Sequence, residues 1–286
     1  MSEAYERPDS LDAALGLLAQ GEWTVIAGGT DVYPMATDAH AWGREGPRRL
    51  LDVTDIGEMR GIETRPDGHW IGGRVTWNDI VRADLPDYFD GLRLAAREVG
   101  GVQIQNRGTV AGNICNASPA ADGVPPLLSL DAIVDIAGAD GTRQLPLAQF
   151  IEGNRRTALK SGELVTGLFI PKRDSSSRAT FLKLGARRYL VISIAMVAVT
   201  LDLDDAETIQ DARVAVGACS EVACRLPGVE DALKGKSMTA DLAGELTSEM
   251  FEALSPIDDI RADAVYRRNA AETIVRRALD GLRTAI

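Results

Sequence analysis

The stretch Thr109-Val-Ala-Gly-Asn-Ile-Cys-Asn-Ala-Ser-Pro-Ala-Ala-Asp122 is a run of small residues with polar side chains at both ends. Small residues let main-chain N–H groups approach a bound anion, because no bulky side chain stands between them. Such a loop needs a second wall. Val25-Ile-Ala-Gly-Gly-Thr-Asp-Val32 offers one, where a short apolar strand runs into a glycine pair. The two loops have the composition to close over one diphosphate, with the Thr30 and Thr109 hydroxyls as further donors. Gly28-Gly29 alone is weak evidence, since glycine pairs also mark ordinary turns.

Working outward, Asp9-Ser10 opens a helix whose apolar face is Leu11, Ala14, Leu15 and Leu18. Residues 23–27, 49–53, 69–72, 133–137 and 164–170 read as strands, and Thr76-Trp-Asn-Asp79 has the spacing of a capping box. A second helix is expected from Leu92 to Val99. Residues 32–47 hold two glycines, two prolines and little period, so irregular structure is expected there. Residues 172–178, with Ser175, Ser176 and Ser177 at their centre, read as a polar linker without apolar anchors. Beyond it, residues 181–186, 193–203 and 212–217 suggest a three-stranded meander. Ala271, Ile274, Val275, Ala278, Leu279 and Leu282 then keep one face of a last helix apolar.

Composition removes several function classes. The net charge of -11 repels a phosphate backbone, and no Lys/Arg face with interleaved aromatics reverses it, so nucleic acid is not expected as a partner. No apolar run approaches the ~20 residues of a membrane span. The longest, residues 191–203, is interrupted by Ser193, Thr200 and Asp202 and reads as a buried strand. The first residues lack a signal peptide's basic segment and apolar core, which makes a cytoplasmic location the expectation. Cys115, Cys219 and Cys224 form no disulfide framework and are one short of the four ligands of an iron–sulfur cluster; packed thiols are expected. His40 and His69 alone do not make a zinc site or a histidine triad. Gly235-Lys236-Ser237 imitates the end of a P-loop, but Glu230 stands where the first glycine must be.

An ordered set of motifs resembles the FAD-binding medium subunits of the xanthine dehydrogenase family of molybdenum hydroxylases. It comprises Ala27-Gly28-Gly29-Thr30-Asp31, Gln103-Ile104-Gln105-Asn106-Arg107-Gly108-Thr109, Gly112-Asn113-Ile114, and Ser118-Pro119 up to Asp122. Phe181-Leu182-Lys183, Arg187, and Asp259-Ile260-Arg261 to Tyr266-Arg267-Arg268 continue it, so the resemblance spans nearly the whole chain.

The resemblance implies an α+β class. A PCMH-type FAD-binding domain would occupy residues 1–173, in subdomains of about 1–55 and 56–173, followed by a C-terminal α/β flavoprotein domain at 178–286. The FAD pyrophosphate would lie between Val25, Ile26, Ala27, Gly28, Gly29, Thr30, Asp31 and Val32 on one side and Thr109, Val110, Ala111, Gly112 and Asn113 on the other. Asp122 would take the adenosine ribose, although alone it reads as a helix N-cap. Val165 and Lys183 would lie beside the flavin, where a lysine favours the anionic reduced form.

The implied work is electron transfer, from [2Fe-2S] clusters on a small partner subunit to FAD and on to NAD or another acceptor. Substrate would be oxidised at molybdopterin on a large partner subunit, so no catalytic acid–base pair is expected here. Two departures matter. Ala111 stands where glycine is usual, and Arg188-Tyr189-Leu190-Val191 lacks the acidic residue of related nicotinamide-side loops. The latter weighs against NAD and keeps open a carbon monoxide, nicotine or aldehyde dehydrogenase subunit using a quinone or oxygen, or a relay with no nicotinamide site. A subunit that has lost FAD is the non-enzymatic alternative.

Overall fold

A computed structural model describes residues 4–173 and 176–284 of the chain. At the N-terminus, strands Ala4–Glu6 and Thr24–Ile26 both pair in parallel with Arg49–Asp52, which lies between them. Helix Leu11–Leu18 covers this sheet with Ala14 and Leu18, against Leu51, Val53 and Ile56. Strand Thr24–Ile26 therefore delivers Gly28 and Gly29 from a fixed edge.

A five-stranded antiparallel sheet follows, in the order Ile62–Arg65, Gly68–Gly72, Leu164–Pro171, Ile133–Gly138, Gly141–Pro146. Gly167 is required by packing: a Cβ there would stand 2.6 Å from the Trp70 indole nitrogen, which donates to Asp135 at 2.9 Å. Helices Trp77–Arg82, Asp90–Glu98, Val110–Asn116 and Val124–Ser129 share one apolar core with this sheet, through Trp77, Ile80, Leu92, Val110, Ile114, Leu127 and Leu168. The capping box is present in full: the Thr76 hydroxyl accepts from Asp79 N–H, and the Asp79 carboxylate accepts from Thr76 N–H.

The C-terminal part is a second sheet of three long antiparallel strands, Arg178–Leu184, Ala195–Leu203 and Ile209–Gly217, to which Cys224–Arg225 adds a short fourth. Helix Ala264–Thr284 lies on it. All six residues of the expected apolar stripe, from Ala271 to Leu282, are buried, and burial of each of Ile274, Val275, Leu279 and Leu282 contributes about 1.5–3 kcal/mol. The other face of the sheet receives helix Asp90–Glu98, where Ala95 meets Phe181, Met196 and Ala198. Gly91 permits this contact, since a Cβ there would stand 3.1 Å from Thr180 O.

One expectation is corrected. Residues 32–41 form helix Val32–Ala41 instead of irregular chain. Pro34 sits in its first turn, where the missing N–H has no helical acceptor in any case. None of its residues is buried, so no apolar period marks it. Residues 172–178, read as a polar linker without apolar anchors, are fastened by polar groups. Arg173 bonds Asp131 and Asp202, and the Ser176 and Ser177 hydroxyls donate to Leu203 O and Asp202. Asp174 and Ser175, also read as linker, lie outside the described residues.

Candidate functional site

The structure brings the two glycine loops into main-chain contact. A Cβ on Gly28 would stand 1.8 Å from Arg107 O, and one on Gly108 would stand 3.4 Å from the Thr30 hydroxyl. Gly29 has φ +71, in the left-handed region that favours glycine. Asp31 adds a side-chain tie, accepting from Asn116 Nδ2 at 2.7 Å, and Arg155 donates to the other end of the Asn116 amide. Val25 and Ile26 serve as strand residues, paired with Leu51 and Asp52, and Val32 starts the following helix.

The N–H groups of Gly28, Gly29, Thr30, Asp31 and Val32 donate to no protein acceptor among the described residues; neither do those of Thr109 and Ala111. Asp31 and Val32, like Thr109 and Ala111, stand at helix N-termini, where N–H groups have no helical acceptor, and Gly28 to Thr30 add further donors in the touching loop. The Thr109 oxygen is partly committed, since it accepts from Gly112 N–H at 2.9 Å and caps helix Val110–Asn116. Val110 and Ala111 face the core, and Asn113 holds the far side of the loop by accepting from Gly123 N–H at 3.2 Å. Ala111 fits its position with its side chain buried.

Asp122 and Lys183 come together. Lys183 Nζ lies 2.7 Å from Asp122 Oδ2 and also donates to Glu98 O at 3.3 Å, while the buried Ser193 hydroxyl donates to Asp122 Oδ1 at 2.7 Å. Asp122 is not an N-cap; that position before helix Val124–Ser129 belongs to Gly123. Burial pushes the Asp122 carboxyl up, and the charge of Lys183 and the bonds from Lys183 and Ser193 offset this only in part. Val165 is placed differently. Its side chain is buried in the core with Val110 and Ile114.

Cys115 corrects the packed-thiol expectation. The residue is exposed, on helix Val110–Asn116. Lys183 also lines a cavity of about 520 Å³ with Leu94, Glu98, Phe181, Arg187 and Val191. A larger depression of about 800 Å³, by Trp23, Arg49 and Lys160, touches the first loop only at Val25 and misses the second. Sequence reasoning missed Ser193 and Asn116. The available signal was a hydroxyl interrupting an apolar run, because a buried polar group needs a partner.

Comparison with known proteins identifies the family. The family described as FAD binding domain in molybdopterin dehydrogenase matches residues 1–173, and the CO dehydrogenase flavoprotein C-terminal domain matches residues 180–282. The glyceraldehyde dehydrogenase medium chain of Sulfolobus acidocaldarius is 30% identical over 277 residues, 96% of each chain. The carbon monoxide dehydrogenase medium chain of Hydrogenophaga pseudoflava is 28% identical, covering 96% of this chain and 95% of that one. The solved carbon monoxide dehydrogenase of that organism superposes with a TM-score of 0.89 at 27% identity, over 99% of this chain and 97% of the other. A quinoline 2-oxidoreductase structure from Pseudomonas putida gives 0.87 at 25% identity, over 100% and 98%. No helix among the described residues is long and apolar enough to cross a membrane. The chain belongs to the molybdopterin dehydrogenase family of FAD-binding proteins, as the FAD-dependent medium subunit of a molybdenum hydroxylase.

Proposed function

We propose that this chain holds FAD between its two glycine loops and serves as an electron relay. It would accept electrons from [2Fe-2S] clusters on a small partner subunit and pass them on, while a molybdopterin-bearing large subunit oxidises the substrate. The carrying observation is the set of unpaired main-chain donors in Gly28 to Val32 beside those of Thr109 and Ala111. In a chain of net charge -11, fixed N–H dipoles can meet a diphosphate without a local excess of cations. When bound, the flavin supplies the one- and two-electron redox chemistry. The chain's residues position it and set its surroundings.

Lys183 and Asp122 belong to one end of the cofactor. The two are in direct contact, 2.7 Å apart, which supports assigning them to the same part of a bound FAD. Lys183 stands beside the cavity formed with Phe181 and Val191, which supports assigning both residues to the flavin end. Ser193 and Lys183 each give one bond to a different oxygen of Asp122, leaving acceptor capacity for a ligand donor. Beside the flavin, the Lys183 ammonium would favour the electron-rich reduced form.

The acceptor is read as a quinone, oxygen or another protein. Supporting this, the segment from Arg187 to Val191 beside that cavity contains two arginines and no carboxylate. Titration of the full chain with FAD tests the site. Gly28→Ala, whose Cβ meets Arg107 O, is expected to abolish binding, and undiminished binding would sink the two-loop assignment. Anaerobic mixing with NADH tests the acceptor: an unbleached flavin is expected, and rapid bleaching would restore NAD.

A further inference from the structure

Two segments at strand ends of the C-terminal sheet, before Ala195 and after Gly217, hold the end of the ligand loop, and one buried guanidinium stands behind both. Ser193 donates to Asp122, and Ala218 N–H donates to Pro119 O at 3.0 Å. Arg267, from helix Ala264–Thr284, donates through Nη1 to Ile194 O at 2.7 Å and to Ala218 O at 3.0 Å. These are the residue following Ser193 and the residue that grips Pro119.

Arg267 is 3% exposed, and a buried charge is costly unless it is paired and hydrogen-bonded. Asp259 supplies the counter-charge, accepting from Arg267 Nη2 at 2.6 Å and from the Arg261 and Ala262 N–H groups. Burial alone would raise the Asp259 carboxyl, but these donors hold it well below the usual range. Asp259 and Arg267, which the loops' chemistry does not use, thus form a brace between these segments.

We infer that Arg267 is a positioning residue for the flavin end of the site: by tying Ile194 to Ala218, it fixes where Ser193 and the Pro119 to Asp122 segment present the Asp122 carboxylate. The inference rests on the assignment of Asp122 to bound FAD. Arg276, on the same helix, makes a comparable brace to Ala243 O and Leu246 O, away from the loop. It separates positioning from general support of the fold.

The full chain with FAD is compared as wild type, Arg267→Met, Arg267→Lys, Arg276→Met and Asp122→Asn. The readouts are FAD affinity, the visible flavin absorption band at saturating FAD, and thermal unfolding. Arg267→Met should weaken FAD binding about tenfold and shift the band in the same sense as Asp122→Asn. Arg267→Lys should recover part of both, because an ammonium still reaches one carbonyl. Arg276→Met should lower the unfolding temperature and leave the band in place. If Asp122→Asn moves the band and neither Arg267 variant differs from Arg276→Met, the positioning role is overturned while the site stands. If Asp122→Asn also leaves affinity and band unchanged, the assignment of Asp122 to FAD fails and the inference falls with it. Should Arg267→Met not fold, Arg267→Lys carries the same comparison.

Discussion

Asp122 and Asp131 lie nine residues apart in the chain, and each ties the N-terminal part to the C-terminal sheet. Their carboxyls nevertheless move in opposite directions. Burial raises both. At Asp131 the guanidiniums of Arg173, Arg213 and Arg225, at 2.8, 2.5 and 2.8 Å, outweigh it and hold the group below the usual carboxylate range. At Asp122 one ammonium and one hydroxyl do not, so the group is raised. A carboxylate crowded with donors is a fastening, and Asp202 extends that fastening by accepting from Arg173 and Arg213. A buried carboxylate with few donors, adjoining a loop with unpaired N–H groups, retains capacity for a ligand.

The comparison breaks most visibly on removal of the carboxylates. Asp122→Ala leaves the Lys183 ammonium buried without a counter-charge and should cost about 3 kcal/mol of stability, near the lower end for broken buried pairs. FAD affinity should fall with it. Urea unfolding with and without FAD reads both quantities. Asp131→Asn should cost less, about 2 kcal/mol, because the Asp131 side chain is partly exposed and solvent screens its bonds. Asparagine is chosen because Asp131 has φ 52, a conformation it tolerates. Here FAD affinity should be unchanged, and a parallel loss would show that the two junctions are one functional unit.

The difference between these junctions was only half legible in the sequence. The loops were readable, because Gly28, Gly29 and the small-residue run are local patterns whose chemistry follows from composition. The helices and strands with clear period were readable for the same reason. Helix Val32–Ala41 was not, since it buries nothing and so carries no periodic signal. Asp122 and Lys183 were each singled out, but their meeting across 61 residues of chain is a product of sheet packing. Arg173 looked like part of a linker because its anchors, Asp131 and Asp202, are distant in sequence and charged. Pattern reading finds apolar faces and local motifs, and it is blind to pairs that tertiary structure alone creates.

The smallest expected effect is also the most diagnostic, because its sign differs between the two carboxylates. An unfolded aspartate titrates near about 3.9. The folded value of Asp131 lies lower, so its ionised form stabilises the protein above that pH, and the contribution is lost as pH falls through the lower folded value. Wild type minus Asp131→Asn should therefore lose its stability advantage on acidification below about pH 4. The folded value of Asp122 lies higher, so the native state binds the extra proton, and stability falls as pH rises from about 4 through the raised value. Wild type minus Asp122→Asn should consequently decline across a window in which the Asp131 difference is already flat. Denaturant midpoints measured from pH 3 to pH 7 check both slopes. Parallel slopes would mean that ligand-free Asp122 is as well supplied with donors as Asp131, and the contrast between fastening and ligand site would lose its electrostatic basis.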